Sequence, residues 1–285
     1  MEQTIKKTNK VLSAVVLGAM YAVMIVLAFT MIFPYIYMVL TTFKPMQETV
    51  QAGMHLFPVH WTAEAYAEVW ELVPFGRGIL NTMTVEIPVI LVGTFTSALG
   101  AFAFAKMRLP CSRALLLTLM SSMMVPFAAL FLPQYQIWSS LNLTNNLLPL
   151  ILPGLFGNIS MVFFFIQFMG GIPNALLEAA KIDGCGYFKS FVHIMLPLLW
   201  PAMAAQGVFW FLGIWNDYFA PSIYLTREDV MTLQPLINRL NATQGGRDFP
   251  LVMTGAFLSS IPLIAVYLVF QKYFMSALSI TSGIK

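Results

Sequence analysis

Of the 285 residues, 59% are hydrophobic and only 9% are charged, with a mean hydropathy of +0.78. A soluble domain carries about 25% charged residues, so a water-facing globule of this size is excluded and the apolar side chains must face lipid. The net charge of +3 is small and its bases are scattered, which excludes the basic patch of a nucleic-acid binder.

Six stretches reach or approach the roughly 20 apolar residues that a membrane-spanning helix needs. The first, 11–40, is uncharged between Lys10 and Lys44. It is far longer than the ~7–15-residue apolar region of a signal peptide. It also runs into Phe33-Pro34-Tyr35 without a small-residue cleavage site, so a retained helix is expected. Residues 41–78, with several acids and with Trp61 and Trp70, form an extracytoplasmic excursion. A core of five helices from 79 to 275 follows, with spans expected at 79–105, 114–132, 147–169, 198–222 and 251–270. Residues 1–10 and 276–285 are the two tails. The loop 133–146 carries no charge and holds Tyr135 and Trp138, aromatics suited to a membrane interface. Pro34, Pro88, Pro126, Pro153, Pro201 and Pro262 place kinks or helix ends in the spans.

Basic residues orient the chain. With the N-terminus inside, Lys6, Lys7, Lys10, Lys106, Arg108, Arg113, Lys181, Lys189, Lys272 and Lys285 are cytoplasmic. Lys44, Arg77, Arg227, Arg239 and Arg247 are then outside, so ten of the 15 bases face the cytoplasm. An even number of spans puts both termini there. Cys111 and Cys185 fall on the same side and are expected to be free thiols.

Between the fourth and fifth spans lies a distinctive segment, 170–197. Pro173 and Asn174 suit a helix start, and Ala175 to Asp183 are mostly strong helix formers. Gly184 sits where a left-handed residue ends a helix. A second short helix then places Tyr187, Phe188, Phe191, Val192 and Met195 on one apolar face, and Pro197 closes the segment at the membrane. From these residues alone, an amphipathic hairpin lying on the bilayer fits equally well.

The wording of the segment points further. Glu178-Ala179-Ala180, Gly184 after three intervening residues, then Ile194, Leu196 and Pro197 resemble the EAA loop of ABC-importer permeases. Ala103-Phe104-Ala105-Lys106-Met107-Arg108, Met124-Val125-Pro126-Phe127, Gly213-Ile214-Trp215-Asn216-Asp217-Tyr218 and Gln271-Lys272-Tyr273-Phe274 extend the likeness over most of the chain. They resemble the carbohydrate branch, in particular the second permease subunit of maltose-type importers. The resemblance implies an all-α, type I importer-like fold of six transmembrane helices in the cytoplasmic membrane. It also implies a second homologous permease, two ATPase subunits docked on the cytoplasmic loop, an extracytoplasmic solute-binding protein and a carbohydrate substrate. Glu178, Ala179, Ala180, Asp183, Gly184, Phe188, Ile194, Leu196 and Pro197 would then couple to the ATPase, which binds the ATP and Mg; this chain needs no cofactor or metal of its own. A phosphate-binding Gly-rich loop is absent from the sequence, in keeping with a non-catalytic subunit.

Candidate translocation-path residues are Glu86, Trp215, Asn216 and Asp217. An ionisable group inside a span is costly and usually functional. Glu86 either hydrogen-bonds sugar hydroxyls or pairs with another helix. Trp210 and Trp215 suit stacking on a sugar or ordinary packing, and Asn216 and Asp217 suit the path or the interface. Three other readings stay open: import of a polyol or glycerol phosphate, an ion-gradient-driven secondary transporter, and a membrane-bound transferase. The last would need an acid/base or metal cluster, and Glu86, Asp217 and His193 are expected on different sides.

Overall fold

The structure is a computed structural model that describes the backbone at 2–50, 55–243 and 248–281 and side chains at 16–50, 55–241 and 248–272. The side chains of Lys6, Lys7, Lys10, Arg247 and Lys285, used above for orientation, and the side chains of the 276–285 tail lie outside these residues.

All described regular elements are helices. In chain order they are α1 (Glu2–Thr41), α2 (Met46–Val50), α3 (Glu64–Leu72), α4 (Phe75–Lys106), α5 (Ser112–Ser122), α6 (Phe127–Ser140) and α7 (Leu148–Leu155). Then come α8 (Ile159–Gly170), α9 (Ala175–Ile182), α10 (Tyr187–Ser190), a π-helical turn (Phe191–Met195), α11 (Leu196–Trp215), α12 (Phe219–Tyr224), α13 (Leu233–Thr243) and α14 (Phe249–Thr281). Five helices among the described residues are long and apolar enough to cross a bilayer, and α5 with α6 supply a sixth crossing if taken together.

Three expectations need correction. The third span is not one helix over 114–132: α5 and α6 meet at 90° across the break at 123–126. Pro126 stands at the N-cap of α6 with extended backbone, and a proline also disfavours helix in the residue before it. The fifth span does not run to 222; α11 stops at Trp215. There the Asn216 side chain donates to the Leu212 carbonyl at 2.8 Å, and Asp217 Oδ1 accepts the Ala220 N–H at 3.3 Å in the first turn of α12. Such side-chain bonds compete with the helical ladder and start the next helix. Pro197 does not close the loop either. The chain stays helical from Tyr187 to Trp215, because the π turn, with Leu196 N–H bonded to Phe191 O, widens the backbone just before the proline.

Two units can be told apart. One holds Met1–Glu71 and Leu240–Leu258. In it the side chains from Val16 to Phe33 on α1 are exposed, as an uncharged helix leaves them when lipid or another chain covers it. Beyond α1, Phe43 sits between Trp61 and Tyr66, at ring distances of 5.7 and 5.5 Å, and its carbonyl accepts the Thr62 N–H at 3.0 Å. Lys44 is buried, donates to the His55 carbonyl and lies over the Tyr37 ring. Glu48 accepts the Val59 and His60 N–H groups at 2.9 and 3.3 Å, so the excursion folds back on itself.

The other unit, Leu72–Arg239 with Ser259–Lys285, is built around α4, which packs on α7, α8 and α11. Its buried stripe, Gly78, Thr82, Val85, Glu86, Val89, Gly93, Ser97 and Ala101, follows the three-and-four spacing of one helical face. Packing rather than transfer from water holds helices together in lipid, so small residues set the approach. At Gly93 an added Cβ would stand 2.3 Å from the Gly154 carbonyl and 2.6 Å from the Trp210 ring, so only glycine permits this crossing. Toward the Lys106 end, Phe102 of α4, Phe165 and Met169 of α8, Phe191 and Met195 of the π turn and Leu199 of α11 close the core.

Candidate coupling loop and translocation path

The segment 170–197 is two short helices joined at a glycine. Gly184 has φ +76°, and α9 ends in paired bonds from Gly184 N–H to Lys181 O (3.1 Å) and Cys185 N–H to Ala180 O (2.8 Å). This 6→1 and 5→2 pattern satisfies the last carbonyls of α9 and turns the chain sharply toward α10.

The expected apolar face of the second helix is divided. Phe191 and Met195 are buried in the core, while Phe188 is 64% exposed and Tyr187 is likewise outside. Phe191 anchors the division, with its ring 5.3 Å from Phe102, 5.7 Å from Phe95 and 6.5 Å from Phe188. Of the other candidate coupling residues, Glu178, Ala179, Asp183, Gly184 and Pro197 are exposed, Ile194 and Leu196 are half-buried, and Ala180 is buried. Ile182, at 87% exposure, adds a further apolar side chain to the outward surface. The loop thus presents exposed apolar and charged groups on a base rooted in the core.

Lys106 is part of that base, a role not legible in its sequence position alone. Its ammonium donates to the Ile172 carbonyl and to Asn174 Oδ1, both at 2.8 Å, fastening the start of the loop to the end of α4. The available signal was a base at the last position of one span and an uncapped turn after another.

The candidate path residues separate. Glu86 is 1% exposed, and neither carboxylate oxygen has a hydrogen-bond partner among the described residues. Burying such a group costs several kcal/mol, on the order of 2–7 even for a neutral polar group without a partner, so a partner from beyond this chain would relieve it. Trp215 is fully buried, donates to the Ser259 carbonyl and stacks on Phe211. Asn216 is exposed and bonded to its own helix. Asp217 lines a cavity of about 120 Å³ together with Thr82, Trp210 and Thr232. A larger cavity, about 420 Å³, lies between α4, α11 and α14 and is apolar apart from Thr94. The structure therefore brings Asp217 together with residues outside the candidate set, and keeps Trp215 out of both cavity linings.

Comparison with known proteins agrees with this architecture. The profile of the family described as binding-protein-dependent transport system inner membrane component matches residues 6–280. The chain is 29% identical over 262 residues to the arabinooligosaccharides transport system permease protein AraQ of Halalkalibacterium halodurans, covering 91% of this chain and 93% of that protein. It is 27% identical to the diacetylchitobiose uptake system permease protein NgcG of Streptomyces coelicolor, covering 91% of this chain and 86% of that one. A solved chain from a bacterial ABC transporter involved in import of the acidic polysaccharide alginate has the same fold, with a TM-score of 0.79 at 23% identity over 91% of this chain and 96% of that chain. Since the family profile spans nearly the whole sequence, the chain belongs to the binding-protein-dependent transport system inner membrane components.

Proposed function

We propose that this chain is the permease subunit of an ATP-driven importer that carries a sugar or oligosaccharide across the cytoplasmic membrane. It pairs with a second, homologous permease. Two ATPase subunits dock on the 170–197 loop, bind ATP and Mg, and hydrolyse ATP; a solute-binding protein outside the membrane delivers the substrate. This chain performs no catalysis.

The observation that carries this reading is the build of the loop: an exposed surface of Glu178, Ile182, Tyr187 and Phe188 beside a core-buried Phe191. A rigid element seated in a partner groove can pass motion to the spans when it is continuous with one. Here α10, the π turn and α11 form one helical run from Tyr187 to Trp215. The carbohydrate assignment is supported by relatives named for arabinooligosaccharides, diacetylchitobiose and lactose.

Affinity purification of the chain in mild detergent, with mass spectrometry of its companions, tests the proposal. Recovery of a second permease and an ATPase, with the ATPase lost on changing Glu178 and Gly184, is the expected result. A chain that purifies alone and moves solute in liposomes without ATP would overturn it in favour of secondary transport.

A further inference from the structure

The cavity beside Asp217 is lined by no residue of the 170–197 loop. Thr82 and Val89 of α4, Gly154 of α7, Trp210 of α11, Asp217 and Thr232 are the walls that matter. At the roughly 30 Å³ that a water occupies in the liquid, its 120 Å³ holds about four waters. That volume is too small for a whole sugar ring and suits one edge of a ring, with its hydroxyls in place of the waters.

Its polar groups are unequally satisfied. Thr82 is complete, donating to Gly78 O at 2.8 Å and accepting Leu233 N–H at 2.9 Å. Thr232, only 5% exposed, has no partner for its hydroxyl among the described residues. Asp217 Oδ1 takes the Ala220 N–H at 3.3 Å and the carboxylate also meets the Phe219 N–H at the start of α12, so a ligand must use its remaining lone pairs. Among the described residues, Asp217 is also the one charged member of the lining, which includes no Lys, Arg or His. At this end of the chain Arg227 is held by Asp229 and Arg239 by Glu228.

A ligand here must bring hydrogen-bond donors, must not bring a negative charge, and must fit against an indole wall. We propose that this niche is a hydroxyl-binding subsite for an uncharged sugar, in which Asp217 and Thr232 make the hydrogen bonds and Trp210 forms the apolar wall, and that it discriminates against uronates. Water-mediated bonds are replaced without loss when the incoming hydroxyls reproduce them. A uronate would set its carboxylate near Asp217 with no base among the described lining residues to offset the repulsion, a built-in selection against the wrong substrate. The inference rests on the carbohydrate reading above.

The test uses the complete transporter in liposomes, carrying Thr232→Cys with Cys111 and Cys185 changed to Ser. The rate at which N-ethylmaleimide labels the introduced thiol is read with arabinotriose, with trigalacturonate, and with neither. Arabinotriose at about ten times its dissociation constant is expected to slow labelling about tenfold, since protection follows occupancy as 1 + [L]/Kd. Trigalacturonate should leave the rate unchanged, and Asp217→Asn should let it protect. Equal protection by both sugars, or none by arabinotriose, overturns the subsite. ATP-driven uptake of arabinotriose, lactose and diacetylchitobiose by the wild-type transporter is measured in parallel. Uptake without protection defeats the subsite alone, whereas import of a non-carbohydrate solute delivered by the binding protein, in place of all three, defeats the carbohydrate reading and the subsite with it.

Discussion

Trp215 donates its indole N–H to the Ser259 carbonyl at 2.9 Å, from a position without solvent exposure and with its ring 5.6 Å from that of Phe211. The bond ties the end of α11 to α14 where no water can take over a lost donor. In this conformation Trp215 is a tether. Trp215→Phe is expected to lower stability by about 1–3 kcal/mol, and Trp215→Ala by more, toward about 3–5 kcal/mol for a truncated buried aromatic. Uptake per folded transporter should stay near wild type. Thermal unfolding in detergent beside normalised uptake separates the two effects; a stable Trp215→Phe that no longer transports would return the residue to the path.

The turn at Gly184 separates a backbone requirement from a steric one. A Cβ added there meets nothing within 4 Å, yet φ is +76°. A left-handed conformation costs a branched residue about 1–2 kcal/mol, whereas asparagine visits it readily. Gly184→Asn should therefore keep ATP hydrolysis and uptake in step, while Gly184→Val and Gly184→Pro release ATP hydrolysis from uptake without disturbing insertion. Glu178→Lys is expected to do the same through the docking surface. The ratio of sugar imported to ATP hydrolysed is the readout, and an unchanged ratio in Gly184→Val would remove the turn from the coupling path.

Lys106 gives a third test. Its bonds to the Ile172 carbonyl and Asn174 Oδ1 hold the loop to α4. In Lys106→Met the apolar stem is kept and both bonds go, so the loop should open locally more often while the spans stay folded. Limited proteolysis is expected to cut within 171–186 several times faster than in wild type. Equal cleavage rates would mean that Phe191 alone seats the loop.

How much of this was legible in the sequence follows from the range of each interaction. Gly184 and the helices on either side were readable because a helix stop is written in a few adjacent residues. The break at Pro126 carried a local sign too, but its 90° angle depends on how α5 and α6 pack. The end of α11 at Trp215 was hidden because the apolar residues 219–221 resume after Asn216 and Asp217, and composition does not show that those two side chains bond locally. Thr232 and Thr82 were beyond reach for another reason: they meet in one niche although about 150 residues apart, as the Leu233 N–H to Thr82 bond across a separation of 151 shows. Periodicity reports which face is buried, not which distant residue covers it.

The excursion near Glu48 should respond to acid. Burial pushes its carboxyl up, but the N–H groups of Val59 and His60 and the charge of Lys44 outweigh this and hold it below its ordinary value of 4.5. A carboxyl whose pKa is depressed by folding adds stability above the unfolded value, and that stability is lost as pH falls through the lower, folded value. Hydrogen exchange at Val59 and His60 is therefore expected to gain from opening only below pH 4.5. In Glu48→Gln, faster exchange should already be present at neutral pH, with little further change on acidification.

Glu86 makes the sharpest prediction because stability and function should move in opposite directions. Both of its oxygens are buried and without a partner among the described residues. An apolar residue of similar volume removes a desolvated polar group at little packing cost, so Glu86→Leu should stabilise the isolated chain by about 1–3 kcal/mol. If the carboxyl is kept for a hydroxyl of the passing sugar or a side chain of the second permease, the same change lowers uptake, with Glu86→Gln falling between. Thermal unfolding of the chain alone and uptake by the assembled transporter are the paired measurements. A Glu86→Leu chain that melts earlier than wild type would mean the carboxyl already has a stabilising partner in this subunit. A more stable chain with full uptake would mean that Glu86 serves neither the path nor the pairing.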